Sequence, residues 1–298
     1  MINNIPSPDD FFTTGKGLLA YSWGIIAKLL IELENAHDYL EDVQEVSDDY
    51  WSLADKNLAI SLTIAQQGVE FLLKGKIAEV SPFLLLSEPP SRWPKPNKDK
   101  NVDFSEYRTI DAQDLTIVYD TVSTAPLPKE FVIKFDEMRK KRNKIMHSID
   151  NSDIPNFIEI MESILLMHHI LFPDETFGPV RVGSLCETPD TQLGSDEWLY
   201  NNVNQEFSLI INQMNPAKVK RFFKIDKKKR AYYCPKCVSE ANHDIDFEYQ
   251  LARLIDGKQA VFCPICNLEY EVTRAECEYN DCLGNVIDID GRCLTCGN

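Results

Sequence analysis

The chain is poor in the features that mark fibrous, exported or membrane-embedded proteins. Its 298 residues include 12 glycines and 16 prolines, too few for a collagen-like or low-complexity chain. Long apolar runs are missing. The two longest, Leu18–Ile31 and Ile164–Phe172, contain Lys28, His168 and His169 and are too short and too polar to span a bilayer. The first ten residues, MINNIPSPDD, carry no positive segment leading into an apolar core, so no signal peptide is visible. A cytoplasmic protein without membrane partners is the expectation. Positive charge is scarce too: 31 Lys and Arg face 47 Asp and Glu, a net charge of -16. That excludes a general phosphate-coating surface, and any polyanion contact has to be local. Two places qualify. Only Asn143 interrupts the bases from Arg139 to Lys144, and a second cluster runs from Lys218 to Arg230 around Phe222 and Phe223. Those two rings suit either an RNA-facing strip that stacks bases or a solvated linker strand. With 44% apolar and 26% charged residues, the composition is otherwise that of a globular protein.

Cysteine is plentiful and clustered. Eight of the nine cysteines lie at or beyond residue 234; Cys186 stands apart as a plain thiol. Cys234-Pro-Lys-Cys237 and Cys263-Pro-Ile-Cys266 form two C-x-x-C knuckles, and Cys277-x4-Cys282 with Cys293-x2-Cys296 forms a second quartet. Two thiolates on a tight turn and a second such pair complete a tetrahedral four-thiolate site. Four disulfides are the alternative, but they need an oxidising compartment for which no leader is visible. Iron–sulfur ligation fits the paired spacing less well than a ribbon does. Two structural zinc ions are therefore expected, one on Cys234, Cys237, Cys263 and Cys266, the other on Cys277, Cys282, Cys293 and Cys296. An interleaved pairing stays open. With no open coordination position, neither ion should be catalytic.

Residues 1–175 carry helical periodicity. Helices are expected over Gly17–Val43, over Asp49 to about Val80 behind caps at Ser47 and Asp48, over Lys129 to about Ser148, and from Pro155 to Phe172. Asp111–Val122 is ambiguous, because Thr116-Ile117-Val118-Tyr119 has the β-branched and aromatic content of a strand. Pro173–Gly194 reads as a linker and Asp196 to about Met214 as a further helix. In the cysteine-rich tail, Leu254–Ile255 and Ala260–Phe262 suggest hairpin strands. The resulting division is a helical domain over 1–195, a connecting helix and basic linker over 196–231, and two metal-binding modules over 232–298.

One helical stretch carries chemistry: Arg139-Lys-Lys-Arg142-Asn143-Lys-Ile-Met-His147. Asn143 and His147 are four apart and share a helix face, whereas Arg142 and His147 are about 140° apart. A helix end or distortion near His147 would be needed to gather all three. An Arg-Asn-x3-His run late in a helical bundle resembles the HEPN superfamily, whose signature is Arg-x4–6-His. The upstream stretch Ala59–Lys74, apolar with an embedded Glu70, is similar to a helix common in that family. The resemblance covers about residues 15–175 and leaves out the cysteine-rich tail. It implies a HEPN-like antiparallel helical bundle followed by a small β-rich zinc-ribbon domain. It also implies a homodimeric, metal-independent endoribonuclease acting on RNA as a toxin or antiviral effector, with an antitoxin or other protein partner conceivable. On that reading His147 moves protons, Arg142 stabilises the phosphorane, Asn143 orients the His or a phosphate oxygen, and Glu70 adds a polar group to the groove. The alternative is a HEPN scaffold without cleavage, whose ribbons bind nucleic acid or protein.

Overall fold

The computed structural model describes residues 1–36, 43–95, 101–147, 154–189, 191, 196–241, 247–279 and 281–298. It is mainly helical, with a small sheet region at its C-terminal end. Among the described residues no helix is long and apolar enough to cross a membrane. The chain divides into two compact units: Met1–Ile25 with Ser52–Met167, and Ile26–Trp51 with His168–Asn298. The whole stretch beyond Met167, helical and cysteine-rich alike, belongs to the second.

In the first unit, α1 (Pro8–Asn35) enters with its N-terminal part and runs antiparallel to α3 (Asp55–Ala78). Ser22 and Ser61 bind across this pair, each hydroxyl donating to the other's backbone carbonyl at 2.8 and 3.1 Å. Both serines are fully buried, so their polar groups satisfy one another where water is excluded. Leu62, Val69, Leu72, Leu73 and Ile77 of α3 are buried at the three- and four-residue spacing that the sequence shows. On this helix pack α4 (Ala112–Val122) and α5 (Lys129–His147). The ambiguous 111–122 segment is thus helical. Leu115 and Thr116 are buried and packing decides against the β-propensity of its middle. Residues 49–80 do not form one helix: α2 (Val43–Leu53) ends at Ala54 and α3 begins after it, leaving Ser47 and Asp48 inside α2 rather than at a cap. Ala54 is buried while Leu53 is 84% exposed, so the break turns Leu53 off the apolar stripe. The part of the first expected helix that falls on 37–42, and Ser148 at the expected end of α5, lie outside the described residues.

The second unit takes Ile26–Trp51, which holds the later part of α1 and most of α2, and resumes with the last residues of α6 (Phe157–Leu171). The segment expected to be a linker holds a helix, α7 (Phe177–Cys186), with Phe177, Gly178, Arg181 and Leu185 buried. Arg181 donates Nε and Nη2 to both carboxylate oxygens of Glu206, at 2.8 and 2.7 Å, and both side chains are over nine-tenths buried. Glu206 belongs to α8 (Asp196–Gln213), against which α7 packs. The basic stretch is neither a strand nor a base-stacking strip. Its first part is α9 (Pro216–Phe223), capped by the Asn215 side chain, with Phe222 and Phe223 buried. Several of its bases serve the fold. The Lys227 ammonium donates to the carbonyls of Ile211, Asn212 and Met214 at 2.9, 2.9 and 3.1 Å, occupying acceptors that a helix end leaves open. Lys224, left-handed at the end of α9, reaches the Asp174 carbonyl at 2.9 Å. Arg230 reaches the Leu283 carbonyl at 3.1 Å.

Strands β1 (Ile2–Asn3) and β2 (Val102–Asp103) form a short parallel pair in the first unit, and the second unit ends in an antiparallel five-stranded sheet in the order β3 (Ala231–Tyr232), β4 (Ala252–Leu254), β5 (Ala260–Cys263), β6 (Leu268–Thr273) and β7 (Ile287–Asp288). The expected hairpin is β4–β5, and Gly257 turns it at a φ of 73°.

Candidate metal centres and a polar groove

The first quartet is built by a helix start and a strand end. Cys234 precedes Pro235, which opens the six-residue α10 (Pro235–Glu240) and pre-sets its first turn, placing Cys237 within it. Cys263 ends β5, and Cys266 follows through a tight turn closed by Asn267 at a φ of 53°. The four sulfurs lie within 4.8 Å of one another, as do those of Cys277, Cys282, Cys293 and Cys296. The interleaved pairing is not the one formed. Cys234 and Cys266 sulfurs are 3.6 Å apart, Cys237 and Cys263 3.8 Å, Cys277 and Cys296 3.8 Å, and Cys282 and Cys293 3.8 Å. A disulfide needs about 2.05 Å, and all nine cysteines are free thiols. A tetrahedron of sulfurs each about 2.3 Å from a central ion has edges of about 3.8 Å. Both quartets have the size and donor set to hold a metal ion such as zinc.

Their surroundings differ. In the first, three ligands are buried. Hydrogen bonding from Cys234 and burial push Cys237 up, and burial foremost pushes Cys263 up. Hydrogen bonds from Cys234, Cys237, Cys263 and Tyr270 hold Cys266 far below the ordinary thiol value. The Tyr270 hydroxyl donates to the Cys266 sulfur at 3.2 Å and is itself pushed well above its usual range, mainly by burial. Hydrogen bonding thus favours the thiolate at Cys266, the form that binds metal. In the second quartet, burial works against the Cys293 thiolate. The backbone amides of Cys296 and Thr295 and the thiols of Cys277 and Cys282 prevail and bring it to about 7. Burial leads the causes that take Cys296 to about 12. Gly284 threads this site: its N–H donates to the Cys282 sulfur at 3.3 Å and its carbonyl accepts from Cys277 N–H at 2.9 Å.

Residues missed by the spacing argument support the first knuckle. The Thr176 hydroxyl donates to the Pro264 carbonyl at 2.5 Å, and Thr176 N–H donates to Asn267 Oδ1 at 3.3 Å. Asn267 Nδ2 returns to the Asp174 carbonyl at 3.1 Å. A Cβ on Gly178 would fall 2.4 Å from the Ile265 carbonyl oxygen, so the backbone of α7 lies directly on the knuckle. An Asn directly after the second Cys of a knuckle is the one sequence sign of this arrangement, since Asn tolerates positive φ.

The other expected site residues fall in the first unit. Glu70 and Lys74 of α3, the Thr109–Gln113 stretch leading into α4, and Arg139, Arg142 and Asn143 of α5 line an open groove of about 430 Å³. Glu70 accepts from Gln66 Nε2 at 2.6 Å, while Lys74 reaches Thr109 Oγ1 at 3.5 Å. Arg142 Nη1 donates to Asn143 Oδ1 at 3.0 Å, and its buried Nε has no partner among the described residues. Arg139 is engaged with Asp136 at 2.7 Å; Lys140 first and Arg139 second hold that carboxyl below its ordinary value. The structure brings Glu70, Arg142 and Asn143 together but not His147, which is exposed at the C-terminal end of α5 and is not part of the groove lining. α5 is α-helical through His147, so the about 140° offset from Arg142 expected of a helix stands. His168 is buried against Phe172 and Phe177 and meets Glu175 at 3.1 Å, a core arrangement.

Compared with protein-family models, curated proteins and solved structures, the chain gives no significant match in any of the three.

Proposed function

We propose that the protein is a metal-independent endoribonuclease, working as a homodimer in the manner of the HEPN superfamily that its Arg-Asn-x3-His run resembles. The convergence of Arg142, Asn143 and Glu70 from two helices in one open groove carries the reading. The Arg142 guanidinium supplies charge for the phosphorane that forms when a 2′-hydroxyl attacks the adjacent phosphate. Asn143 positions a phosphate oxygen. His147, one turn beyond Asn143 on the same face, is exposed and supplies proton transfer in an assembly of two chains, where α5 of each faces the other. The products are a 2′,3′-cyclic phosphate and a 5′-hydroxyl. A toxin or antiviral effector held by an antitoxin is the role this activity suits. The two ions are zinc, both structural: all-thiolate, coordinatively closed sites of this size fit zinc and leave it no place for substrate.

A second reading has one observation in its favour. His147 does not line the Arg142 groove, which suits a non-catalytic scaffold binding nucleic acid or protein. Incubating the purified chain with total RNA, without added divalent metal, separates the two. Cleavage lost by about 10² or more in His147→Ala and in Arg142→Ala supports the nuclease. Equal degradation by wild type and His147→Ala, or a requirement for added Mg²⁺, refutes it. A strictly monomeric mass at micromolar concentration refutes the dimer.

A further inference from the structure

The second unit contains a smaller hollow of about 260 Å³ between the end of α9 and the β4–β5 hairpin. Its charge is unlike that of the chain. Lys220, Lys224, Lys229 and Arg253 line it against Asp226 and Asp256, four bases to two acids, in a protein of net charge -16. Lys229 is paired with Asp256, and Lys224 is tied to the Asp174 carbonyl, so two of the bases are held in position. Exposed Lys220 makes no hydrogen bond or salt bridge among the described residues, and its charge is felt by Asp256.

Arg253 is the unusual member. It is only 8% exposed, yet its guanidinium is half-satisfied. Nη1 donates to the carbonyls of Gln250 and Ala252 at 3.1 and 2.9 Å. Nε is buried without a hydrogen-bond partner among the described residues. Burial pulls this guanidinium below its ordinary value, opposed by the charge of Asp226. An arginine desolvated to this extent normally finds two acceptors for its fork. Directly across the ladder, Arg253 is registered with half-buried Phe262, so both side chains leave the sheet on the same side and both line the hollow. One wall is therefore cationic with unmet donors and the other aromatic. The volume admits one nucleotide and not a duplex.

We propose that this hollow is a binding site for a free nucleoside monophosphate, its phosphate on Arg253 and Lys220 and its base against Phe262. The site shares no residue with the Arg142 groove and does not depend on the nuclease reading. The test is calorimetric titration of the full, metal-loaded chain with AMP, and separately with inorganic phosphate and with adenosine. AMP should bind in the micromolar to low millimolar range and more tightly than either fragment. Lys220→Glu, an exposed change that leaves the fold alone, should weaken AMP by about tenfold or more, since it replaces one charged contact with repulsion. Arg253→Lys keeps the charge but removes the fork and should weaken it by a similar factor. Absence of AMP binding up to about 5 mM overturns the proposal. So does affinity left within about twofold by Lys220→Glu, or binding lost in Arg142→Ala and kept in Lys220→Glu, which would place the nucleotide in the other groove.

Discussion

Replacing Gly284 with alanine should cost the chain the metal ion proposed for its second quartet. The new Cβ would stand 2.3 Å from the Cys293 sulfur, 3.0 Å from the Cys282 sulfur and 3.1 Å from Thr295 Cβ. Ordinary contact between heavy atoms of this kind is about 3.5–4 Å, so the Cys293 sulfur has to retreat by more than about 1 Å. Metal–ligand distances tolerate about 0.2 Å. The glycine cannot swing aside cheaply, because its N–H holds the Cys282 sulfur and its carbonyl holds Cys277 N–H. One methyl group thus disturbs three of four ligands. Overpacking by itself costs about 1–3 kcal/mol. Loss of the tetrahedron gives up much of the about 10–16 kcal/mol that a structural four-ligand zinc site contributes. Elemental analysis of gel-filtered protein should fall from two ions per chain to one, with the ion on Cys234, Cys237, Cys263 and Cys266 retained. Gly183→Ala is the control: nothing lies within 4 Å of its Cβ, so two ions should remain. A Gly284→Ala protein with two ions and unchanged resistance to chelator refutes the reasoning.

Gly178→Ala should destabilise the second unit by about 1–3 kcal/mol or more in denaturant titration, because the added methyl meets the backbone of Pro264 and Ile265 rather than a yielding side chain. Glu206→Gln should cost about 3–5 kcal/mol by leaving the buried Arg181 charge unbalanced, and Arg181→Met combined with Glu206→Leu should cost less than either single change. Acidification should release both ions, since protons compete for the thiolates. With its pKa lowered to about 7, the Cys293 thiolate favours the folded site above the ordinary thiol value, and that contribution is lost as pH falls through 7. A chromogenic chelator followed against pH should show this release; full metal retention at pH 4 refutes it. Lys227→Met removes three hydrogen bonds from the end of α8 and should lower the thermal midpoint by several degrees; an unchanged midpoint would show the ammonium to be dispensable.

The metal centres were the most legible part of the sequence, because ligand chemistry acts through a handful of side chains at fixed spacing. The Cys quartets pair as their separations suggest, and the α5 residues Arg142 and Asn143 reach one groove with Glu70. What misled was local composition judged without its neighbours. The strand-like content of Thr116–Tyr119 left its segment open between helix and strand, and the surface offered by α3 and α5 decides for the helix. Phe222 and Phe223 among lysines looked like bases' stacking partners, but at helical spacing with Val219 they form the buried face of α9. Phe177 and Leu185 were lost among the prolines and glycines of 173–194, although their spacing is helical. The Thr176–Pro264 bond joins residues 88 apart, and no local pattern announces it.

The seat of α7 on the first knuckle ties a helix to a metal site to which it contributes no ligand. When metal is scarce, the Pro264–Ile265 peptide has no ligand geometry to hold its shape, and Thr176 and Gly178 lose the surface they fit. The stretch Asp174–Gly178 should then become open to proteases, since its contacts with the knuckle are what hold it. Limited proteolysis of the purified chain with and without chelator should display it as a single early cut.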